Sequence, residues 1–166
     1  MANGKGKAAA EALKGPFKKY MDKLLAILKK PKKKGRVTQW EVGPYGELKS
    51  RPGREGMDMD HIPSKAALLK RAEEMKGSPL TPDEIRNISN SGTAIAVPRD
   101  VHRSTSTTYG ARNTPDQVSR DAADLSAAAK RDFDAYREKL SAANYTSEEI
   151  EQIYRDIQDR NKELGY

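Results

Sequence analysis

Four hydroxyl residues, Ser64, Thr81, Thr114 and Thr146, each stand just ahead of a stretch whose apolar residues recur three and four positions apart. A Ser or Thr side chain there accepts a hydrogen bond from a backbone N–H of the first helical turn, so the combination commits most of the second half of the chain to helix. Ser64 caps a helix running to about Lys76, with Ala66, Leu68, Leu69, Ala72 and Met75 as its buried stripe and Gly77 as its stop. Thr81-Pro82-Asp83-Glu84 joins an N-cap, a proline at the first helical position and a capping-box glutamate, which predicts a helix over 82 to about 90. Thr114 with Gln117, and Thr146 with Glu149, read as two further capping boxes. The first heads an apolar face of Val118, Ala122, Leu125, Ala129 and Phe133, the second a face of Ile150, Ile153, Tyr154 and Ile157. With Asn144-Tyr145 as the joint, residues 114–166 are expected to form a helical hairpin.

Strand signals are few. The run Thr93-Ala94-Ile95-Ala96-Val97 is short, continuous and apolar, the pattern of a buried strand. Val37 to Val42 and Tyr45 to Leu48 flank Gly43-Pro44 and read as a short hairpin, with Trp40 and Tyr45 anchoring a small core. Pro52, Gly53 and Gly56 mark a loop. Near the start, Ala8, Leu13, Phe17, Met21, Leu24, Leu25 and Leu28 describe an amphipathic helix over 8–30 with a lysine-rich opposite face, ended by Pro31. Packing on the body is the commonest fate of such a helix; lying on anionic lipid or tethering the rest to an upstream region are the alternatives. The whole reads as a helix-rich α+β chain, with a boundary near residue 35 between the basic helix and a unit over 36–166.

Charge is spread unevenly. Residues 1–35 hold 11 lysines and 2 acidic residues, residues 36–114 hold 12 basic and 10 acidic, and residues 115–166 hold 8 basic and 12 acidic. The basic beginning would attract a polyanion through counterion release, or serve as a solvated tether. With no cysteine, neither disulfides nor a thiolate zinc site can brace the fold. Leu24-Leu25-Ala26-Ile27-Leu28 is too short for a membrane span and lies too far in for a signal-peptide core. The sequence shows no internal repeat, phosphate-binding loop or dinucleotide fingerprint.

Only two histidines occur. His61 lies in Asp58-Met59-Asp60-His61-Ile62-Pro63, and His102 follows the apolar run 93–97 across Pro98-Arg99-Asp100-Val101. Phosphodiester cleavage needs a base to activate water and a cation to neutralise charge on the phosphate and leaving oxygen. Asp60, His61 and His102 have the chemistry for both, since imidazole titrates near physiological pH and carboxylate plus imidazole suits Mg²⁺, Mn²⁺, Ni²⁺ or Zn²⁺. Taken singly, His61 also reads as a turn residue and His102 as one on an exposed helix face. Asp58, two residues before Asp60, shares its side of an extended segment and is either a supporting acid or an ordinary surface residue. Arg99, Arg103 and Arg112 are candidates for phosphate contacts or for structural ion pairs.

In this order, Asp60-His61-Ile62-Pro63, Asn90, Ala94-Ile95-Ala96-Val97 and His102-Arg103 resemble the HNH/endonuclease VII nucleases, and among them the toxin domains of bacterial polymorphic toxins. The likeness covers roughly residues 40–135, and its toxin-type features run from Tyr45-Gly46 to Thr108-Tyr109-Gly110-Ala111-Arg112-Asn113. The resemblance implies a ββα-metal core over 40–113 binding one divalent ion, with His61 as general base, Asp60 and His102 as metal ligands, and Asn90 orienting the catalytic loop. It also implies double-stranded DNA as substrate, cleaved with little sequence preference, an acidic immunity protein as partner, and a larger toxin scaffold or contact-dependent machinery that delivers the domain into a target cell's cytoplasm. The chain departs from compact members by about thirty residues, two expected helices, inserted between His61 and Asn90. A nuclease acting on RNA through the same residues, and a non-enzymatic nucleic-acid or membrane-binding module driven by residues 1–35, are the rival readings.

Overall fold

The computed structural model describes residues 3–166, with side chains from Gly15 onward. Its order is α1 (Asn3–Lys29), β1 (Val42–Pro44), α2 (Tyr45–Ser50), β2 (Met57–His61), α3 (Lys65–Lys76), α4 (Pro82–Ser91), β3 (Thr93–Pro98), α5 (Arg99–Thr105), α6 (Pro115–Ala123), α7 (Leu125–Asp134), α8 (Arg137–Ala142) and α9 (Ser147–Glu163). The expected helix-rich α+β architecture is present, built around a three-stranded antiparallel sheet of order β1-β3-β2.

The N-caps fall where the sequence places them. Ser64, Thr81, Thr114 and Thr146 each accept a backbone N–H three residues on, and Gly77 closes α3 at φ 74°. Thr81/Glu84 and Thr146/Glu149 are full reciprocal boxes. At Thr114 the Gln117 amide instead reaches the Thr107 carbonyl, so the cap is one-sided and ties α6 to the preceding loop.

Two expected elements differ. Tyr45 to Leu48 is not a strand returning from a Gly43-Pro44 turn: Gly43 pairs with Ala94 inside the ladder, and α2 starts directly after Pro44. The helical turn buries Leu48 beneath the sheet. Upstream, Trp40 adopts φ 66°, which bends the chain out of the extended path, so residues 37–41 form a loop that touches β3 only where the Trp40 N–H donates to the Ala96 carbonyl and the Ala96 N–H to the Glu41 carbonyl, and the regular strand is confined to Val42–Pro44. The C-terminal hairpin is likewise subdivided. Asp124, at φ −145°, ends α6 and accepts the Ala127 N–H to start α7 afresh, and a turn at Ala135-Tyr136 separates α7 from α8. The joint before α9 lies at Asn144 as expected, at φ 68°, a left-handed conformation that Asn tolerates.

The sheet separates two apolar layers. On one face Ile95 and Val97 pack with Trp40, Phe133, Tyr136, Leu140 and Ile157 from the C-terminal helices; on the other, Ala94 and Ala96 let Leu48, Val37 and Met57 close in. A third cluster joins α1 to α3 and α4 through Phe17, Tyr20, Leu24 and Ile27 against Ala67, Leu68, Ala72 and Ile88. From Phe17 onward the basic helix is therefore built into the body and does not hang from it as a tether; Ala8 and Leu13 lie outside the described side chains. Four buried side chains of this size, at about 1.5–3 kcal/mol each, make α1 a principal contributor to stability.

Candidate active site

β2 is an edge strand, and the direction of each of its side chains decides which groups meet at its open edge. Its register with β3 sets Asp58 opposite Val97 and Asp60 opposite Ile95, while His61 faces Ala94. Because side chains alternate along a strand, the two aspartates emerge on the face packed by the C-terminal helices and His61 on the face covered by α2. The open edge of β2 lies between them.

α5 leaves β3 directly at Pro98 and brings His102 over the aspartates. His102 Nδ1–H donates to Asp58 Oδ2 at 2.8 Å, and His102 Nε2 lies 3.4 Å from Asp60 Oδ1. The other oxygen of Asp60 accepts the Tyr136 hydroxyl at 2.7 Å, a bond across 76 residues made deep in the core. Asp58 also receives Arg99 Nε at 3.0 Å. Burial works against a charge on His102, but the hydrogen bonds and charges of Asp60 and Asp58 outweigh it and raise its pKa. Burial likewise opposes the Asp58 charge and is overcome by hydrogen bonds from His102 and Arg99, which lower the pKa of that carboxyl. Tyr136 is held far above the normal phenol range by burial and then by the Asp60 carboxylate, so it acts as a fixed donor.

His61 sits in a different environment. Its Nε2–H donates to the Ser89 carbonyl at 2.8 Å. Ser89 belongs to the last turn of α4, where carbonyls have no partner further along the helix, so this acceptor is available because α4 ends there. The bond fixes the tautomer and leaves Nδ1 as the nitrogen with a lone pair. Tyr45 stacks on the ring at 4.1 Å between centroids. Gly92 closes the opposite approach: a Cβ there would stand 3.0 Å from His61 Cδ2 and 2.9 Å from Leu68 Cδ1. Desolvation depresses the His61 pKa against the pull of the Ser89 carbonyl and Asp60, with Lys65 and Lys49 adding to the depression. The imidazole is thus neutral and oriented, with one nitrogen already committed.

A cleft of about 380 Å³ runs along the β2 edge, lined by Tyr45, Lys49, Arg54, Met57, Asp58, Met59, Arg99 and His102. Of the three arginines singled out by sequence, Arg99 lines it. Arg103 is exposed on α5, and Arg112 braces the loop beyond α5 by donating to the Ser106 carbonyl at 2.9 Å and lying over Tyr109, whose ring meets His102 edge-on at 5.1 Å. Asn90 packs against Gly46, and the atom that orients His61 is the main-chain carbonyl of its neighbour Ser89. Sequence reasoning also passed over Tyr136, Lys49 and Arg54. A single tyrosine 76 residues downstream carries no local signal, whereas Lys49 falls four residues after Tyr45 and would have been found by reading 45–50 as helix.

Among the described residues no group of three or more His, Asp or Glu side chains converges on one point. The convergent pair is Asp60 Oδ1 with His102 Nε2. Two ligands about 2.1 Å from a shared cation lie about 3.0–3.4 Å apart, so their 3.4 Å separation fits joint coordination. Asp58, on the other ring nitrogen, is then the carboxylate that fixes the imidazole's orientation.

The chain is 42% identical over 130 residues to the Deoxyribonuclease CdiA of Dickeya dadantii (strain 3937), a match that covers 78% of this chain and 4% of that protein's length. No protein-family profile and no solved structure matches it. No helix among the described residues is long and apolar enough to cross a membrane.

Proposed function

We propose that the chain is a metal-dependent endonuclease of the HNH type that hydrolyses phosphodiester bonds in DNA. The observation that carries this reading is the pairing, across one open strand edge, of a neutral carbonyl-anchored imidazole with a carboxylate and imidazole spaced to share a cation. His61 Nδ1 takes a proton from the attacking water, and its Nε2 bond to Ser89 keeps that lone pair aimed while positive charge develops on the ring. Asp60 and His102 would hold one divalent ion, which supplies charge neutralisation at the phosphate and leaving oxygen. Tyr136 and Asp58 keep those two ligands from turning away. With only two protein donors, such an ion would keep several waters, which favours Mg²⁺ or Mn²⁺ over Zn²⁺ or Ni²⁺. Lys49, Arg54 and Arg99 hold the strand by its phosphates without reading bases, consistent with cleavage of little sequence preference.

DNA is the substrate class suggested by the relative's name, and the small share of that long protein matched here fits a nuclease unit carried on a larger toxin scaffold, delivered by contact-dependent machinery to act in a target cell's cytoplasm. Such a toxin requires an immunity protein in its producer, and an acidic surface is the natural complement to the basic cleft. The direct test incubates the purified chain with supercoiled plasmid and, side by side, with structured RNA, with Mg²⁺ or Mn²⁺ and with excess chelator. Nicking and linearisation of plasmid that stop on chelation are expected. Unabated cleavage in chelator would refute the metal-dependent mechanism, and preferential loss of RNA would transfer the assignment to an RNase.

A further inference from the structure

Beside the catalytic cleft, and separated from it by the single ridge of α2, lies a second groove of about 340 Å³ lined by Ile27, Leu28, Lys30, Lys32, Pro44, Gly46, Glu47, Lys49, Ser50 and Asn90. The geometry points to this groove as a second phosphate track that holds the DNA backbone on one side of the scissile bond. The inference rests on the nuclease reading and adds where the rest of the substrate lies.

Three observations support it. Lys49 lines both the groove and the catalytic cleft, so the two are one surface with a lysine on its crest. Tyr45 and Lys49 are four residues apart on α2 and face the cleft together, with the Lys49 Nζ 5.4 Å from the tyrosine ring centroid, while Gly46, Glu47 and Ser50 turn to the groove. Second, the groove's one acid is already engaged: Glu47 accepts the Lys33 backbone N–H at 3.0 Å and lies 3.9 Å from the buried Arg51 guanidinium. Lys30 pairs with Glu163. Among the described residues Lys32 and Lys49 make no ion pair, leaving two cations that no internal anion compensates. Third, Asn90 lines the groove while the adjacent Ser89 carbonyl holds His61, so one turn of α4 touches the track with one residue and the general base with the next. A polyanion with regularly spaced charges matches this layout, and each lysine that neutralises a phosphate adds about one to the salt dependence of binding.

The experiment compares the wild-type full chain with Lys32→Gln and with Lys32→Gln/Lys49→Gln. Binding to a fluorescent 30-base-pair duplex is followed by anisotropy in chelator over a salt series, and hydrolysis of bis(p-nitrophenyl) phosphate with Mn²⁺ reports the catalytic centre alone. Both lysines are exposed, and circular dichroism confirms the fold. The expected result is a slope of log affinity against log salt about one unit shallower for Lys32→Gln and about two for the double variant, with small-diester hydrolysis by Lys32→Gln unchanged. Unchanged slopes with an active centre would overturn the groove as a DNA track. Absence of small-diester and plasmid cleavage in the wild type would instead count against the nuclease reading on which the track depends.

Discussion

Gly92→Ala tests how far the proposed cleavage depends on the pose of His61, its proposed general base. Gly92 has φ −57° and ψ 144°, angles an alanine adopts without strain, so the substitution acts through space alone. The added Cβ would stand 2.9 Å from Leu68 Cδ1, 3.0 Å from His61 Cδ2 and 3.3 Å from the Ile88 carbonyl, where ordinary contacts begin at about 3.5 Å. The carbonyl is backbone and Leu68 is fully buried. The imidazole must therefore give by about half an ångström, against Tyr45 stacked at 4.1 Å and the 2.8 Å bond to Ser89. Overpacking of this kind costs about 1–3 kcal/mol. A general base displaced on this scale loses about one to two orders of magnitude in rate, since misplacement of about 1 Å can cost about a hundredfold. Urea unfolding should give the first figure and plasmid nicking the second, as a fall in kcat with DNA affinity unchanged, because Gly92 is buried and does not line the cleft. Wild-type kcat and stability for Gly92→Ala would refute the claim that this packing aims the base.

Tyr136→Phe removes the hydroxyl on Asp60 and leaves a buried carboxylate oxygen without its donor; we expect a stability loss of about 1–3 kcal/mol and Mn²⁺ affinity about 10–100-fold weaker by calorimetry, with DNA binding unaltered. His61→Ala should abolish cleavage while retaining Mn²⁺ binding, whereas His102→Ala should lose both, and a His61→Ala variant with near-normal turnover would disprove the division of roles. Deleting residues 1–30 should leave a chain without cooperative thermal unfolding, because Phe17, Tyr20, Leu24 and Ile27 together contribute about as much as the 5–15 kcal/mol by which a domain is stable. Leu24→Ala alone should cost about 2–5 kcal/mol in the same assay.

What the sequence made legible follows from how local each signal is. A cap is written in four residues, and all four caps are found. The β3 run and the alternation that puts Asp58 beside Asp60 are also local, and the 2.8 and 3.4 Å contacts of His102 join the second histidine to both aspartates. Tyr45 to Leu48 reads as a strand because aromatic content outweighs the position after Pro44, and because the reason for the helix, burial of Leu48 under Ala94 and Ala96, is tertiary. Asp124 was passed over as a helix break although Asp is a strong N-cap, since the apolar face from Val118 to Phe133 continues across it. Tyr136 and the Ser89 carbonyl were beyond reach for a simpler reason: one acts from 76 residues away, and the other is a backbone atom with no side-chain signature.

The segment between His61 and β3 supports the site through main-chain atoms and packing. Along the chain, α3 and α4 separate His61 from β3. In three dimensions α3 and α4 carry the apolar surface that α1 covers, and the end of α4 delivers both the Ser89 carbonyl that sets the His61 tautomer and Gly92, whose missing Cβ makes room for the ring. A helix terminus always leaves carbonyls in want of donors, so ending a helix beside an imidazole orients that imidazole without a dedicated polar side chain. The same α4 stretch presents Asn90 to the lysine groove. These two helices are therefore the frame through which the hydrophobic body holds His61, the proposed base, in place, and a substitution that loosens α1 from α4 should weaken cleavage before it disturbs the Asp60-His102 pair, which is anchored on the opposite face by Tyr136.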